Sequence, residues 1–272
     1  GCDLRRMKVT VLKGSSSMAR YPVNLLRNLA IRSAKTSHVV YTDSDFLISD
    51  GLHENLMAVA PTVANDSLAA IVIPAFVYHS ACPVDFSSKN DEASNCLANE
   101  QENMIPKTKE DLLKLWGKKR SDTPNVKPGF HGVHYHGSTR YAEYKNQTSL
   151  LSIPCIANYL YEPYLTVRLC NRLPEFPEVF RGYGWNKNIW IMWLTKKLSY
   201  RLFQLPRGFV VHLPHGKSAS WLRIHKPNPT SSWGKKEKGK APPEHEHYLD
   251  WFKKMVPNHP NRMPSCEDRK KG

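Results

Sequence analysis

The chain has 272 residues, 40% of them hydrophobic, enough to bury the core of one large domain or of a domain with an appendage. It has no apolar run of about eighteen residues, so no segment reads as a membrane-spanning helix, and no signal peptide is present. Its formal net charge of +15 favours phosphorylated or polyanionic partners over cationic ones.

In chain order, Met7 to Leu12 reads as a strand. Tyr21-Pro22-Val23-Asn24-Leu25-Leu26-Arg27-Asn28-Leu29-Ala30-Ile31-Arg32 reads as a helix, with Leu25, Leu26, Leu29 and Ala30 at helical spacing and Pro22 in the first turn. The β-branched run His38 to Thr42 is a second strand, and it stops on Asp43-Ser44-Asp45. A further helix is expected near Gly51-Leu52. Strand, helix and strand in this span predict a βαβ unit and a parallel sheet, whose ligands bind beyond the carboxyl ends of the strands, where the two aspartates fall. In extended chain, carboxylates at i and i+2 point the same way and can reach one cation. Oxygen ligands of this kind suit Mg²⁺ or Mn²⁺, ions that commonly hold a phosphate. The tripeptide taken alone reads equally as an Asx turn after a strand.

Leu68 to Tyr78, with Pro74 inside it, reads as a buried strand ending in a loop. The polar stretch 83–104 reads as a surface loop. Thr108 opens a capped helix through Asp111, and residues 117–129 read as a basic loop. Near the C-terminus, Tyr248 to Phe252 reads as a last helix. Residues 201–272 hold fifteen Lys and Arg against six Asp and Glu, and the runs Lys235 to Lys240 and Arg269 to Lys271 read as a solubilising tail. Residues 1–225 are therefore read as the main domain and 226–272 as a basic loop with a terminal helix.

Three clusters carry possible chemistry. His131-Gly132-Val133-His134-Tyr135-His136-Gly137 lacks an adjacent acid and reads as surface or acceptor-groove histidines, His136 among them. Gly182-Tyr183-Gly184-Trp185-Asn186-Lys187 reads as a sugar-binding turn, because glycine lets the backbone approach a ligand and the aromatic rings can stack on a sugar face; the other reading is a tight turn before a core helix. Gly208 to Lys217 reads as a strand ending on His212, with His215 and Lys217 beyond it. A neutral imidazole suits Mn²⁺ as a third ligand, and Lys217 could neutralise a phosphate. The six cysteines contain no C-x-x-C pair, which argues against a zinc ribbon; their even number permits disulfides without establishing any. Asn65-Asp66-Ser67 and Asn146-Gln147-Thr148 are N-glycosylation sequons.

Taken in order, Tyr-Pro-Val-Asn-Leu-Leu-Arg-Asn, Thr-Asp-Ser-Asp-Phe, Ile-Val-Ile-Pro-Ala-Phe, Tyr-Glu-Pro-Tyr, Gly-Tyr-Gly-Trp-Asn-Lys and Val-His-Leu-Pro-His resemble the LARGE-type glycosyltransferases, and more specifically the glucuronyltransferases of family 49. The resemblance covers about Tyr21 to His215. It implies an α/β GT-A fold, a Rossmann-like mixed sheet flanked by helices. It also implies a UDP-sugar donor (UDP-glucuronate first), Mn²⁺, and an inverting transfer to a xylose-ended glycan of a glycoprotein, in a type II membrane protein of the Golgi lumen. By motif, Asp43 and Asp45 would hold Mn²⁺ against the diphosphate, with His212 as third ligand and His215 as its alternative.

An inverting transfer needs a general base; Glu162, in Tyr161-Glu162-Pro163-Tyr164, is the candidate, with a structural acid as the other reading. Arg168 and Arg181 are candidate partners for a donor carboxylate. The stretch before Tyr21 is short for the family. The first βα unit is accordingly expected to be missing, together with any membrane anchor, and the chain by itself is expected to have weak or no activity. Two other readings compete: a binding module for acidic glycans, whose affinity would fall with salt and ignore Mn²⁺, and a non-catalytic relative. No RNA- or DNA-binding motif is present, so nucleic acid is not an expected partner.

Overall fold

The computed structural model describes residues 8–11, 21–82, 91–117, 123–129, 133–180, 186–215, 250, 254 and 260–266. In chain order its elements are α1 (Val23–Ser33), β1 (His38–Val40), β2 (Phe46–Ile48), α2 (Leu52–Val63), β3 (Ala69–Ile73), β4 (Ala75–His79), α3 (Asp91–Asn103), α4 (Lys109–Leu115) and β5 (Asn125–Pro128). They continue with α5 (Val133–His136), α6 (Tyr141–Tyr144), β6 (Leu151–Ile153), β7 (Tyr164–Arg168), α7 (Asn186–Met192) running into a π-turn (Trp193–Lys197), β8 (Arg201–Gln204) and β9 (Val210–His212).

The most apolar run of the chain does not end in a loop; it serves two sheets. Every residue of β3 is buried. Pro74 then interrupts the ladder, because it has no N–H to donate, and the chain resumes as β4. β3 lies at the centre of a five-stranded sheet of order β1-β7-β3-β8-β6, while β4 belongs to a four-stranded sheet of order β2-β9-β4-β5. β8 and β9 repeat this arrangement one strand over: β8 runs parallel to β3 and β9 runs parallel to β4. The other strand ladders among the described residues are antiparallel.

The expected α/β class with a mixed sheet and flanking helices is thus what forms, but the expected parallel βαβ start is corrected. β1 is a three-residue edge strand, antiparallel to β7. An apolar run this short carries no information about strand direction. Residues 8–11 are exposed and irregular, with Val9 and Val11 facing solvent, so the expected Met7 to Leu12 strand does not form across them.

Local signals hold better. Pro22 precedes α1. Gly51 caps α2 in the left-handed region, where a residue without Cβ pays no steric cost. Thr108 accepts a hydrogen bond from the Asp111 N–H and donates one to its carboxylate at 2.7 Å. The 83–104 stretch is not all loop, since α3 occupies 91–103. Glu100 of α3 is buried and accepts hydrogen bonds from the Ser80 hydroxyl, the Ala81 N–H and the Tyr78 hydroxyl, and a disulfide joins Cys82 to Cys96. The 117–129 loop contains β5, which pairs with β4. The expected helix at Tyr248 to Phe252 lies outside the described residues except for Asp250.

The C-terminal segment 260–266 is stitched into the main body. Met263 is part of the core around Trp190, its N–H bonds to the Thr195 carbonyl at 3.0 Å, and Cys266 is disulfide-bonded to Cys155. In the same core Trp190 stacks on Phe176 at 4.3 Å, and Tyr41 meets both rings edge-on.

Gly208 leads the chain into β9 at φ +89°, and a Cβ there would lie 2.7 Å from Leu52 Cδ1 and 3.0 Å from Leu205 Cδ2. Both the conformation and the space exclude a side chain. Gly208→Ala is expected to lower the unfolding free energy by about 1–3 kcal/mol, read as a fall in denaturant midpoint with an unchanged slope.

Candidate metal and donor site

β1 ends at Val40, earlier than the apolar run suggests. Tyr41, Thr42 and Asp43 leave the sheet, and a turn closes with the Phe46 N–H bonded to the Asp43 carbonyl at 3.3 Å. The chain re-enters a sheet as β2, antiparallel to β9 with Phe46 opposite His212. The Leu213 N–H bonds to the Asp45 carbonyl at 2.9 Å. The turn is therefore tied by its backbone to the end of β9, and Asp45 is brought to the histidines.

Asp45 Oδ2 lies 3.3 Å from His212 Nε2 and 3.1 Å from His215 Nε2, and the two nitrogens are 3.1 Å apart. One ligand atom from each residue falls within 4.8 Å of the others. His212 is buried on the strand, its ring 5.0 Å from Phe46; His215 is exposed just after it. Burial pushes the Asp45 carboxyl up, but the His212 hydrogen bond and the charges of both histidines more than offset this and hold it below its ordinary value.

The residues fit a divalent ion. Asp45 Oδ1 is buried and has no hydrogen-bond partner among the described residues, which is costly for a carboxylate oxygen in a folded protein. A carboxylate with two imidazoles is also a donor set suited to Mn²⁺.

Asp43 has different partners, and residues 43–46 form a turn rather than extended chain. Its Oδ2 accepts a hydrogen bond from Lys187 Nζ at 2.6 Å and from the Tyr164 hydroxyl at 2.9 Å, and Arg27 lies 3.6 Å from Oδ1. Burial acts to raise the Asp43 carboxyl; Lys187, Arg27 and Tyr164 outweigh it and hold the carboxyl below the usual range. Lys187 also lies 3.6 Å from Glu162 Oε2 and over the Tyr164 ring. Burial opposes its charge, yet Glu162 and Asp43 together raise its pKa. Glu162 differs: burial pushes its carboxyl up, and Lys187 only partly reverses the shift.

Asn186 and Lys187 of the expected sugar-binding turn begin α7; Arg181, Gly182, Tyr183, Gly184, Trp185 and Lys217 lie outside the described residues. His136 is buried in α5. The neighbouring Tyr135 carbonyl accepts the Glu162 N–H at 2.8 Å, which places the His136 segment beside the candidate base. Arg168 is not brought to the aspartates. It stands opposite His38 at the start of β1 and donates to the Ala64 carbonyl, about 13 Å along the extended β7 from Tyr164. The sequence reading named neither Tyr164 nor Arg27 as a site residue. Tyr164 lies in the quoted Tyr-Glu-Pro-Tyr, but no spacing rule marks a contact with Asp43. Asn65 and Asn146 are both exposed on turns after helices.

A family model described as glycosyl-transferase for dystroglycan, family 49, matches residues 3–226. The glycosyltransferase-like protein gnt14 of Dictyostelium discoideum is 31% identical over 202 residues, covering 73% of this chain and 27% of that protein. The xylosyl- and glucuronyltransferase LARGE2s of Danio rerio is 32% identical over 199 residues, 73% of this chain and 23% of that protein. The human LARGE2 is 32% identical over 207 residues, 75% of this chain and 25% of that protein. The chain therefore spans about a quarter of the length of these relatives.

A carboxyl whose folded pKa lies above its unfolded value stabilises the fold below the unfolded pKa, and that contribution is lost as pH rises through the folded one. Glu162 has this sign. Relative to Glu162→Gln, the unsubstituted chain should lose stability as pH rises from about 4.5. Paired melting curves across pH check this, and a constant gap between the two proteins would contradict it.

Proposed function

The chain belongs to glycosyltransferase family 49, and on that premise we propose that it transfers a sugar from a UDP-sugar to a glycan. The donor sugar is glucuronate before other candidates, and the acceptor is a xylose-ended glycan of a glycoprotein. The observation that carries this reading is the convergence of Asp45, His212 and His215 from distant parts of the chain beside a half-buried Asp43–Lys187–Glu162 cluster.

The three residues at Asp45 would hold a divalent ion, Mn²⁺ or Mg²⁺. When bound, such an ion stabilises negative charge on a leaving diphosphate. Asp45, just before β2, and His212, at the end of β9, are held together by one ladder, so little reorganisation is needed to form the site. Glu162 is the candidate base for the acceptor hydroxyl in an inverting transfer. It is 19% exposed, and a raised carboxyl pKa moves toward the operating pH, as proton transfer requires. Lys187 keeps compensating charge within reach while Glu162 holds a proton or gives it up.

No described helix is long and apolar enough to cross a membrane. The disulfides Cys82–Cys96 and Cys155–Cys266 suit an oxidising compartment, which supports a lumenal setting, the Golgi by family, with membrane attachment through an anchor elsewhere in the protein.

UDP-glucuronate turnover with a xyloside acceptor, measured in the full-length protein with and without Mn²⁺, tests the reading. Transfer should require the ion and fall at least about a hundredfold in Asp45→Ala. Salt-sensitive binding to acidic glycans without transfer would favour a binding module instead. Secretory expression should also yield protein whose electrophoretic mobility shifts on treatment with a peptide N-glycosidase. Asn65→Gln and Asn146→Gln should each remove one step of that shift.

A further inference from the structure

The two aspartates of Asp43-Ser44-Asp45 stand in opposite electrostatic settings. Asp45 faces two imidazoles and keeps one buried oxygen without a partner. Asp43 has both oxygens facing cations: Lys187 at 2.6 Å from Oδ2 and Arg27 at 3.6 Å from Oδ1, with the Tyr164 hydroxyl adding a second hydrogen bond to Oδ2. A divalent ion on Asp43 would have to approach Lys187 and Arg27 against like-charge repulsion, in a half-buried setting that water screens only in part. The Lys187 side chain is only 14% exposed, so it cannot simply swing its charge into solvent.

The backbone adds to this asymmetry. The turn that carries Asp45 is pinned at one side by the Leu213 N–H on the Asp45 carbonyl. At the other side it is pinned by the Asp43 carboxylate on Lys187 of α7 and Tyr164 of β7.

We propose that the motif divides its work: Asp45 alone joins His212 and His215 around the ion, while Asp43 is a positioning residue, latched by Lys187 and Tyr164, that holds the turn so that Asp45 faces the imidazoles. This rests on the metal-dependent reading given above. Lys187, which the sequence suggests as a sugar contact, then acts on the metal site through Asp43.

Equilibrium binding of Mn²⁺ alone, followed by electron paramagnetic resonance, tests the division in the unsubstituted chain and in Asp45→Asn, Asp43→Asn, Lys187→Met and the Asp43→Asn/Lys187→Met double variant. Melting curves confirm that each is folded. Asp45→Asn should weaken binding by more than about a hundredfold, beyond the 10–100-fold that losing an outer-shell partner costs. Asp43→Asn and Lys187→Met should each weaken it by about tenfold or less, and the double variant no further than Asp43→Asn, because both changes cut the same link. Lys187→Met keeps the Asp43 carboxylate, so it still reads out the latch if Asp43→Asn fails to fold. A loss in Asp43→Asn equal to that in Asp45→Asn overturns the inference alone, as do additive losses in the double variant. No Mn²⁺ binding by the unsubstituted chain overturns the metal reading and this inference with it.

Discussion

The ladder between β2 and β9 is the constraint on which the site depends. Asp45 and His212 are far apart in sequence, and no local preference brings them together. Phe46 pairs with His212, Leu47 with Val211 and Ile48 with Val210, and once that register is set, the residue just before β2 must meet the end of β9. A slip of one position would turn His212 to the opposite face. The ladder is short, so its register is held by what lies under it. Gly208 fits against Leu52, Phe209 is fully buried and donates its N–H to Ser49 Oγ, and β9 lies parallel to the buried β4.

Electrostatics then sort the two halves of the site. Burying a carboxylate is tolerated when cations answer it, and among the described residues Asp43 is answered by Lys187 and Arg27 and Asp45 by two histidines. The result is one carboxylate matched by cations and, beside it, one facing two imidazoles.

Elements governed by neighbours in sequence were legible in the sequence. The Thr108 cap, the helix after Gly51 and the strand that stops on His212 each follow from a few adjacent residues. What depended on distant partners was not. The apolar run before Asp43 looked like one half of a parallel unit, yet β1 took an antiparallel partner, because a three-residue strand says nothing of what will pair with it. The acidic composition of 83–104 concealed a helix with a buried acid, Glu100, that is satisfied by groups around Tyr78 to Ala81. At the site, the convergence of Asp45 with His212 and His215 could be read as a pattern of residue types. The contact of Asp43 with Lys187 could not, because it depends on a lysine brought in by α7.

The stitch between Cys155 and Cys266 has a consequence for the order in which the protein is made. The core around Trp190 includes Ile156 and Met263, and the bridge between Ile156 and Ser265 closes over it. A ribosome delivers the chain from its N-terminus, so every strand of both sheets has emerged before Met263 can reach that core. Until then the apolar surface that Met263 covers stays open, and Cys155 has no access to its native partner. Completion of this half of the molecule thus waits until every described strand has emerged, and during that interval the exposed surface is open to chaperones and to misassembly.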